Sequence, residues 1–127
     1  MIYGVGIDIE MISRIEKSIE RFEDAFLDKI YTPVEIAYCK SKGKPSQHFA
    51  ARFAAKEAFA KAIGTGWQAQ FHWLDVEVVN DPLGKPSIQL YNELAKYFSS
   101  YTLHLSLSHT ADSVAAVVIV EHINIQT

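Results

Sequence analysis

Residues 49–66, FAARFAAKEAFAKAIGTG, constrain the fold of this 127-residue chain more than any other stretch. They predict a helix from about Ser46 to Ile63, with Gly64 and Gly66 as terminating residues. Ala50, Ala54 and Ala58 keep one side of that helix small, so another element or a ligand can lie close to it. The same helix also carries Arg52, Lys56, Glu57 and Lys61. Glu57 and Lys61, four residues apart, are neighbours on one face, and on spacing alone they make a surface ion pair worth about 0.3 kcal/mol. Arg52 and Lys56 lie on an adjacent stripe and make the vicinity cationic. One acidic group among cations suits a phosphorylated ligand held partly through a divalent metal.

A single carboxylate is too few for such a metal, and the N-terminal stretch IYGVGIDI offers a second. Its alternation sets Tyr3, Val5, Ile7 and Ile9 on one face of a strand and Gly4, Gly6 and Asp8 on the other. Two glycines beside a carboxylate leave room for a ligand or another backbone to approach. Mg²⁺ takes hard oxygen ligands, typically one or two carboxylates completed by waters and substrate phosphates, so Asp8 and Glu57 would suffice. The plain alternative is that Asp8 caps a helix starting near Glu10. Zinc is not suggested, because no H-x-x-x-H pair occurs and Cys39 reads as a small buried residue.

From Glu10 the period becomes helical, with Ile12, Ile15, Ile19, Phe22, Phe26 and Ile30 on one stripe and Arg14, Lys17 and Arg21 almost opposite. TPVE then reads as a helix start, with Thr32 as cap, Pro33 in the first turn and Glu35 completing a capping box. Beyond the alanine-rich helix, HWLDVEVV and SIQL flank the turn-rich NDPLGKP and predict a hairpin. Tyr91 to Phe98 predicts a short helix. TLHLSLSH follows as a half-buried strand, and VAAVVIV as a central strand covered on both faces. The expected architecture is one α+β domain spanning residues 1–127, an antiparallel or mixed sheet packed with helices.

SLSHT ends its strand in a polar cluster of Ser108, His109 and Thr110. Adjacent serine and histidine do not by themselves make a nucleophile and base, whereas hydroxyls and an imidazole also suit phosphate oxygens. Neither GVGIDI nor GTG gives the dinucleotide fingerprint. A net charge of −3 and a pI near 5.9 argue against a general nucleic-acid binder, so any basic site is local. With 49% hydrophobic and 21% charged residues the chain is expected to fold as an ordinary globular protein. One cysteine, no signal-peptide pattern and a longest apolar run of Val114 to Val120 point to the cytoplasm and to no membrane span.

GVGIDIEMISRI, ARFAAKEAFAKAIGTG, NDPLGKP and SLSHT, in this order and at these separations, resemble the bacterial holo-[acyl-carrier-protein] synthases, small phosphopantetheinyl transferases. The resemblance covers nearly the whole chain, and its central motif is long and specific. It implies transfer of the 4'-phosphopantetheine arm of coenzyme A to a serine of apo acyl carrier protein, in support of fatty acid biosynthesis, with release of adenosine 3',5'-bisphosphate. It further implies Asp8 and Glu57 as Mg²⁺ ligands and Lys61 beside the same phosphate. Arg52, His109 and Thr110 would grip the 3'-phosphate, with Gly84, Lys85 and Pro86 near the adenine. A homotrimer with interfacial sites is implied, as is docking of the acidic carrier on Arg14, Lys17 and Arg21. The chain departs from the family's usual acid at Met11, having Glu10 one place earlier, and it carries Glu23, Asp24 and Asp28 where some members are more basic. Two rival readings remain at this level. A small metal-dependent phosphohydrolase fits the same acids, and a noncatalytic nucleotide- or carrier-binding module fits the basic helix.

Overall fold

The computed structural model describes residues 1–64 and 71–123. In chain order the elements are β1 (Ile2–Met11), α1 (Ile12–Phe22), α2 (Asp24–Ile30), α3 (Pro33–Lys40), α4 (Pro45–Ile63), β2 (Val76–Asn80), β3 (Pro86–Leu90), α5 (Asn92–Tyr97), β4 (Tyr101–His109) and β5 (Ser113–His122). A three-stranded antiparallel sheet has the order β1-β5-β4, and β2 and β3 form a separate antiparallel hairpin. The α+β expectation therefore holds, with α4 lying across β1 and β5. Among the described residues no helix is long and apolar enough to cross a membrane.

The small side of α4 meets the glycine face of β1. A Cβ on Gly4 would fall 1.8 Å from the Ala62 carbonyl oxygen, and one on Gly6 would fall 1.8 Å from that of Ala58. The visitor that the two glycines admit is another backbone. Ala54, Ala55, Ala58 and Phe59 of α4 are fully buried, and Val114, Ala116, Val118 and Val120 of β5 complete this inner layer. Gly64 closes α4 at φ +88°, as a terminating glycine should. Gly66 lies outside the described residues.

Three local expectations need correction, and the face of β1, which alternation left open, is settled first. The apolar residues of β1 face outward, with Val5, Ile7 and Ile9 more than half exposed. For the same reason β5, though central, is buried on one face only, and Ala115, Val117 and Ile119 share the open face with β1. The continuous stripe from Ile12 to Ile30 is broken at Glu23, whose φ of 49° and ψ of −128° redirect the chain, so Phe22 is exposed. Within HWLDVEVV, finally, WLD (Trp73–Asp75) forms a 3₁₀ turn ahead of β2.

Helix α3 begins as expected: Thr32 Oγ1 accepts from the Glu35 N–H, Glu35 Oε1 accepts from the Thr32 N–H, and Pro33 occupies the first turn. Glu35 does more than cap. Fully buried, it takes a hydrogen bond from the Val78 N–H and pairs with Lys56 Nζ at 2.7 Å. Lys56 Nζ also donates to the Ile30 and Trp73 carbonyls, which ties α2, α3, α4 and β2 together. Burial pulls the Lys56 pKa down while Glu35 pulls it back up. Lys56 thus serves the core and adds nothing to a cationic surface. Cys39 is fully buried, and burial pushes its thiol up to about 12, so it is an inert core residue as expected.

Candidate functional site

Two polar clusters stand out, and they lie on different parts of the molecule. The first forms where α4 crosses β1. Asp8 sits mid-strand on the inner face, 9% exposed, so it does not cap α1; Met11 holds that position and makes no side-chain cap. Lys61 Nζ donates to Asp8 Oδ1 at 3.0 Å and to the Ile7 carbonyl at 3.1 Å. The lysine therefore pairs across elements with Asp8 and not, as helical spacing suggested, with Glu57. Its hydrogen bond to Asp8 holds its pKa above the ordinary lysine value, which keeps it charged.

Glu57 completes the cluster from α4. Desolvation, then the charge of Asp8, raise its pKa, and Lys61 opposes them. Glu10, two residues beyond Asp8 on the same strand face, is a third carboxylate. Its pKa is pushed up to about 7 by burial first, then by its hydrogen bond with Asp8 and the Asp8 charge, with Glu57 adding to the effect and Arg14 opposing it. Asp8 Oδ2 is buried and has no hydrogen-bond partner. Strand alternation places Glu10 beside Asp8 and Met11 on the exposed outer face, so period two was the signal for this acid.

Two carboxylates with raised pKa values, Glu57 and Glu10, beside the orphaned buried oxygen of Asp8 suit a divalent cation of hard character. Among the described residues no group of three or more His, Cys, Asp or Glu side chains forms a ready-made metal cage. Asp8 and Glu57 offer hard oxygen donors, the kind that Mg²⁺ takes together with waters and substrate phosphates.

The second cluster lines a cavity of about 390 Å³ between the start of α4, the β2–β3 turn and the edge strand β4. It gathers Arg52, Gly84, Lys85, Pro86 and His109 from the expected residues, and adds Tyr38, His48 and Asn80. The Arg52 guanidinium is buried, stacks 4.2 Å above the Tyr38 ring and donates to Asn80 Oδ1. Lys42 Nζ lies 4.6 Å from the centre of the same ring. His48 has its pKa lowered by burial and by Arg52, Lys42 and His109, which marks this wall as cationic. Thr110 departs from expectation: its Oγ1 accepts from the Asp112 and Ser113 N–H groups within the β4–β5 turn, outside the cavity lining.

The structure thus unites Asp8, Glu57 and Lys61, and separately unites Arg52, His109 and Gly84 to Pro86. No residue of the acid cluster lines the cavity. Asp8 and Leu107 sit in one register row on either side of Ala116, two strand spacings apart, about 10 Å. Arg14, Lys17 and Arg21 are exposed on α1, as the helical stripe predicted.

Residues 4–118 match the model of the 4'-phosphopantetheinyl transferase superfamily. A holo-[acyl-carrier-protein] synthase of a Geobacter species (strain M21) is 50% identical over 124 residues, covering 95% of this chain and 99% of its own. Among solved structures, a holo-[acyl-carrier-protein] synthase from Neisseria meningitidis superposes with a TM-score of 0.86 at 40% identity, over 95% of this chain and 99% of that one. The corresponding enzyme from Bacillus anthracis, crystallised in complex with CoA (3',5'-ADP), gives a TM-score of 0.80 at 37% identity, over 97% and 99%.

Proposed function

The chain belongs to the 4'-phosphopantetheinyl transferase superfamily, among the holo-[acyl-carrier-protein] synthases, and from that premise we propose a division of labour between its two clusters. The reaction moves the 4'-phosphopantetheine group of coenzyme A to a serine of apo acyl carrier protein, in support of fatty acid biosynthesis. The serine oxygen forms a bond to the phosphorus that bears the pantetheine. The pyrophosphate P–O bond breaks, and adenosine 3',5'-bisphosphate leaves with the bridging oxygen.

In this reading the acid cluster is where the pyrophosphate sits, with Asp8 and Glu57 holding a Mg²⁺ ion. That ion, when bound, supplies Lewis-acid polarisation and neutralises charge on the leaving group. Lys61, charged and half exposed, meets the departing phosphate oxygens and steadies them. Asp8 holds the lysine in place from the strand below. The cavity takes the nucleotide end: Arg52 and His109 face the 3'-phosphate, and Gly84 to Pro86 lie along the adenine. Thr110, engaged in its own turn, reaches the phosphate only if that turn opens. Arg14, Lys17 and Arg21 receive the acidic carrier.

The reading includes a homotrimer of 127-residue domains acting in the cytoplasm, where the free Cys39 thiol would stay reduced. Support for assembly comes from the open face of the sheet, where Val5, Ile7, Ile9 and Met11 are exposed side by side with Val117 and Ile119. An apolar sheet face of this kind marks an interaction surface. In this reading, assembly through that face would bring one chain's cavity to another's acid cluster.

The observation that carries the proposal is the pairing of Asp8 with Lys61 beside Glu57 and Glu10, on a chain matched to the family from residue 4 to 118. Intact mass of an apo acyl carrier protein, after incubation with the protein, coenzyme A and Mg²⁺, tests it. The expected gain is about 340 Da, the covalently transferred arm, lost with chelator. Glu57→Gln should lower the rate about a thousandfold, as when a principal charge-stabilising group is removed, while the melting temperature holds. Phosphate release without carrier modification would favour a phosphohydrolase, and binding without any mass change would favour a noncatalytic module.

A further inference from the structure

Asn80 ends β2 and bridges two parts of the nucleotide cavity. Its Oδ1 accepts from Arg52 Nη2 at 2.5 Å, and its Nδ2 donates to the Gly84 carbonyl at 2.9 Å. The amide's orientation is forced, because a guanidinium offers only donors and a carbonyl only accepts. Gly84 stands at φ +89° in a turn that is fixed from the other side as well: Asp81 Oδ1 accepts from the Leu83 and Lys85 N–H groups at 2.9 and 2.8 Å. One side chain therefore sets the arginine and the Gly84–Pro86 turn at a single spacing.

The charge balance matters as much as the geometry. Arg52 is 2% exposed, and its Nε is buried without a hydrogen-bond partner. The two groups that hold it, the Tyr38 ring and the Asn80 amide, are both neutral. A buried guanidinium normally pairs with a carboxylate. Here the partner is the uncharged analogue of aspartate, so the cation is aimed while its charge stays available. The pKa of His48, lowered first by burial and then by Arg52, Lys42 and His109, agrees with a positive field at this wall.

We propose that Asn80 is the positioning residue that makes the cavity specific for a nucleotide bearing a 3'-phosphomonoester, by orienting Arg52 without neutralising it and locking it to the Gly84–Pro86 turn. The inference rests on the nucleotide reading of the cavity. Asn80 itself does not touch the reacting atoms. Its contribution is selective, acting on the phosphomonoester and not on the transfer step.

Asn80→Asp separates this role from general support of the fold. The carboxylate keeps an acceptor for Arg52, so the variant retains that link, but it neutralises the guanidinium and loses the donor to Gly84. Steady-state kinetics with coenzyme A and with 3'-dephospho-coenzyme A supply the readout. The expected result is a KM for coenzyme A raised about tenfold or more, as for loss of a charge-assisted contact, with kcat within about twofold. The KM for the dephospho substrate should hardly move, so discrimination collapses. Asn80→Ala, which removes the bridge and leaves the charge, should lose less discrimination. Calorimetric titration of each folded variant with adenosine 3',5'-bisphosphate and with adenosine 5'-monophosphate gives the same comparison without turnover. A parallel change for both substrates, or none for either, overturns the proposal. Wild-type protein that prefers the bisphosphate over the monophosphate yet transfers nothing to a carrier would sink the transferase reading and leave this one standing.

Discussion

Among the acids of the cluster, the raised pKa of Glu10 bears most directly on stability. Its folded pKa of about 7 lies above the ordinary 4.5, so the folded chain holds the proton more tightly than the unfolded chain does. The stabilisation is complete below pH 4.5 and is lost as the pH rises through 7. In the presence of chelator, the melting temperature of the wild type should fall between pH 5 and pH 8 more than that of Glu10→Gln; parallel curves would refute the assignment. Asp8 and Glu57 were legible from strand alternation beside glycines and from a lone acid among helical cations. Glu10 is visible to the same alternation, but the change of apolar period there points to a helix start instead. Lys56 departs from its sequence expectation for a different reason. Its partner Glu35 lies 21 residues earlier, and helical spacing cannot report a contact made by folding.

At the scale of the elements, the contact between α4 and β1 has no side-chain layer, so it tolerates no added carbon on the strand. Gly6→Ala would force the two backbones apart and should cost about 3 kcal/mol or more, the upper end of overpacking penalties, read from the denaturant midpoint. The break between α1 and α2 sends the opposite signal. Glu23 holds a positive φ that suits glycine, so Glu23→Gly should stabilise by about 1 kcal/mol and raise the melting temperature. The capping box at Thr32 and the β2–β3 hairpin were legible because their instructions lie within a few residues. The Glu23 break was not, since nothing in RFED marks a left-handed residue. Nor was the orientation of β1: alternation defines two faces, and only the glycines, not the isoleucines, revealed which one met the helix.

For the whole molecule, the outer sheet face is the feature that one chain leaves unresolved. Val5, Ile7 and Ile9 gain nothing by exposure, and burial of each on assembly would contribute roughly 1 to 2 kcal/mol. If the proposed assembly forms through this face, Ile7→Glu should convert it to monomers in sedimentation and abolish transfer, while leaving the monomer folded because Ile7 is 61% exposed and outside the core cluster. A wild type that sediments as a monomer at working concentration would remove the interfacial account of the two clusters. Sequence periodicity gave no hint of this surface, because an apolar strand residue facing a partner and one facing the core look the same.

The backbone-on-backbone seam at Gly4 and Gly6 also bears on how the protein responds to hydrostatic pressure. Interiors yield mainly by closing the small voids between side chains, and this seam has no side chains to contain them. Compression should act first on the aromatic packing around Phe59, Phe71 and Phe98. The distance between the Asp8 strand and the Glu57 helix should be among the last dimensions of the molecule to shorten.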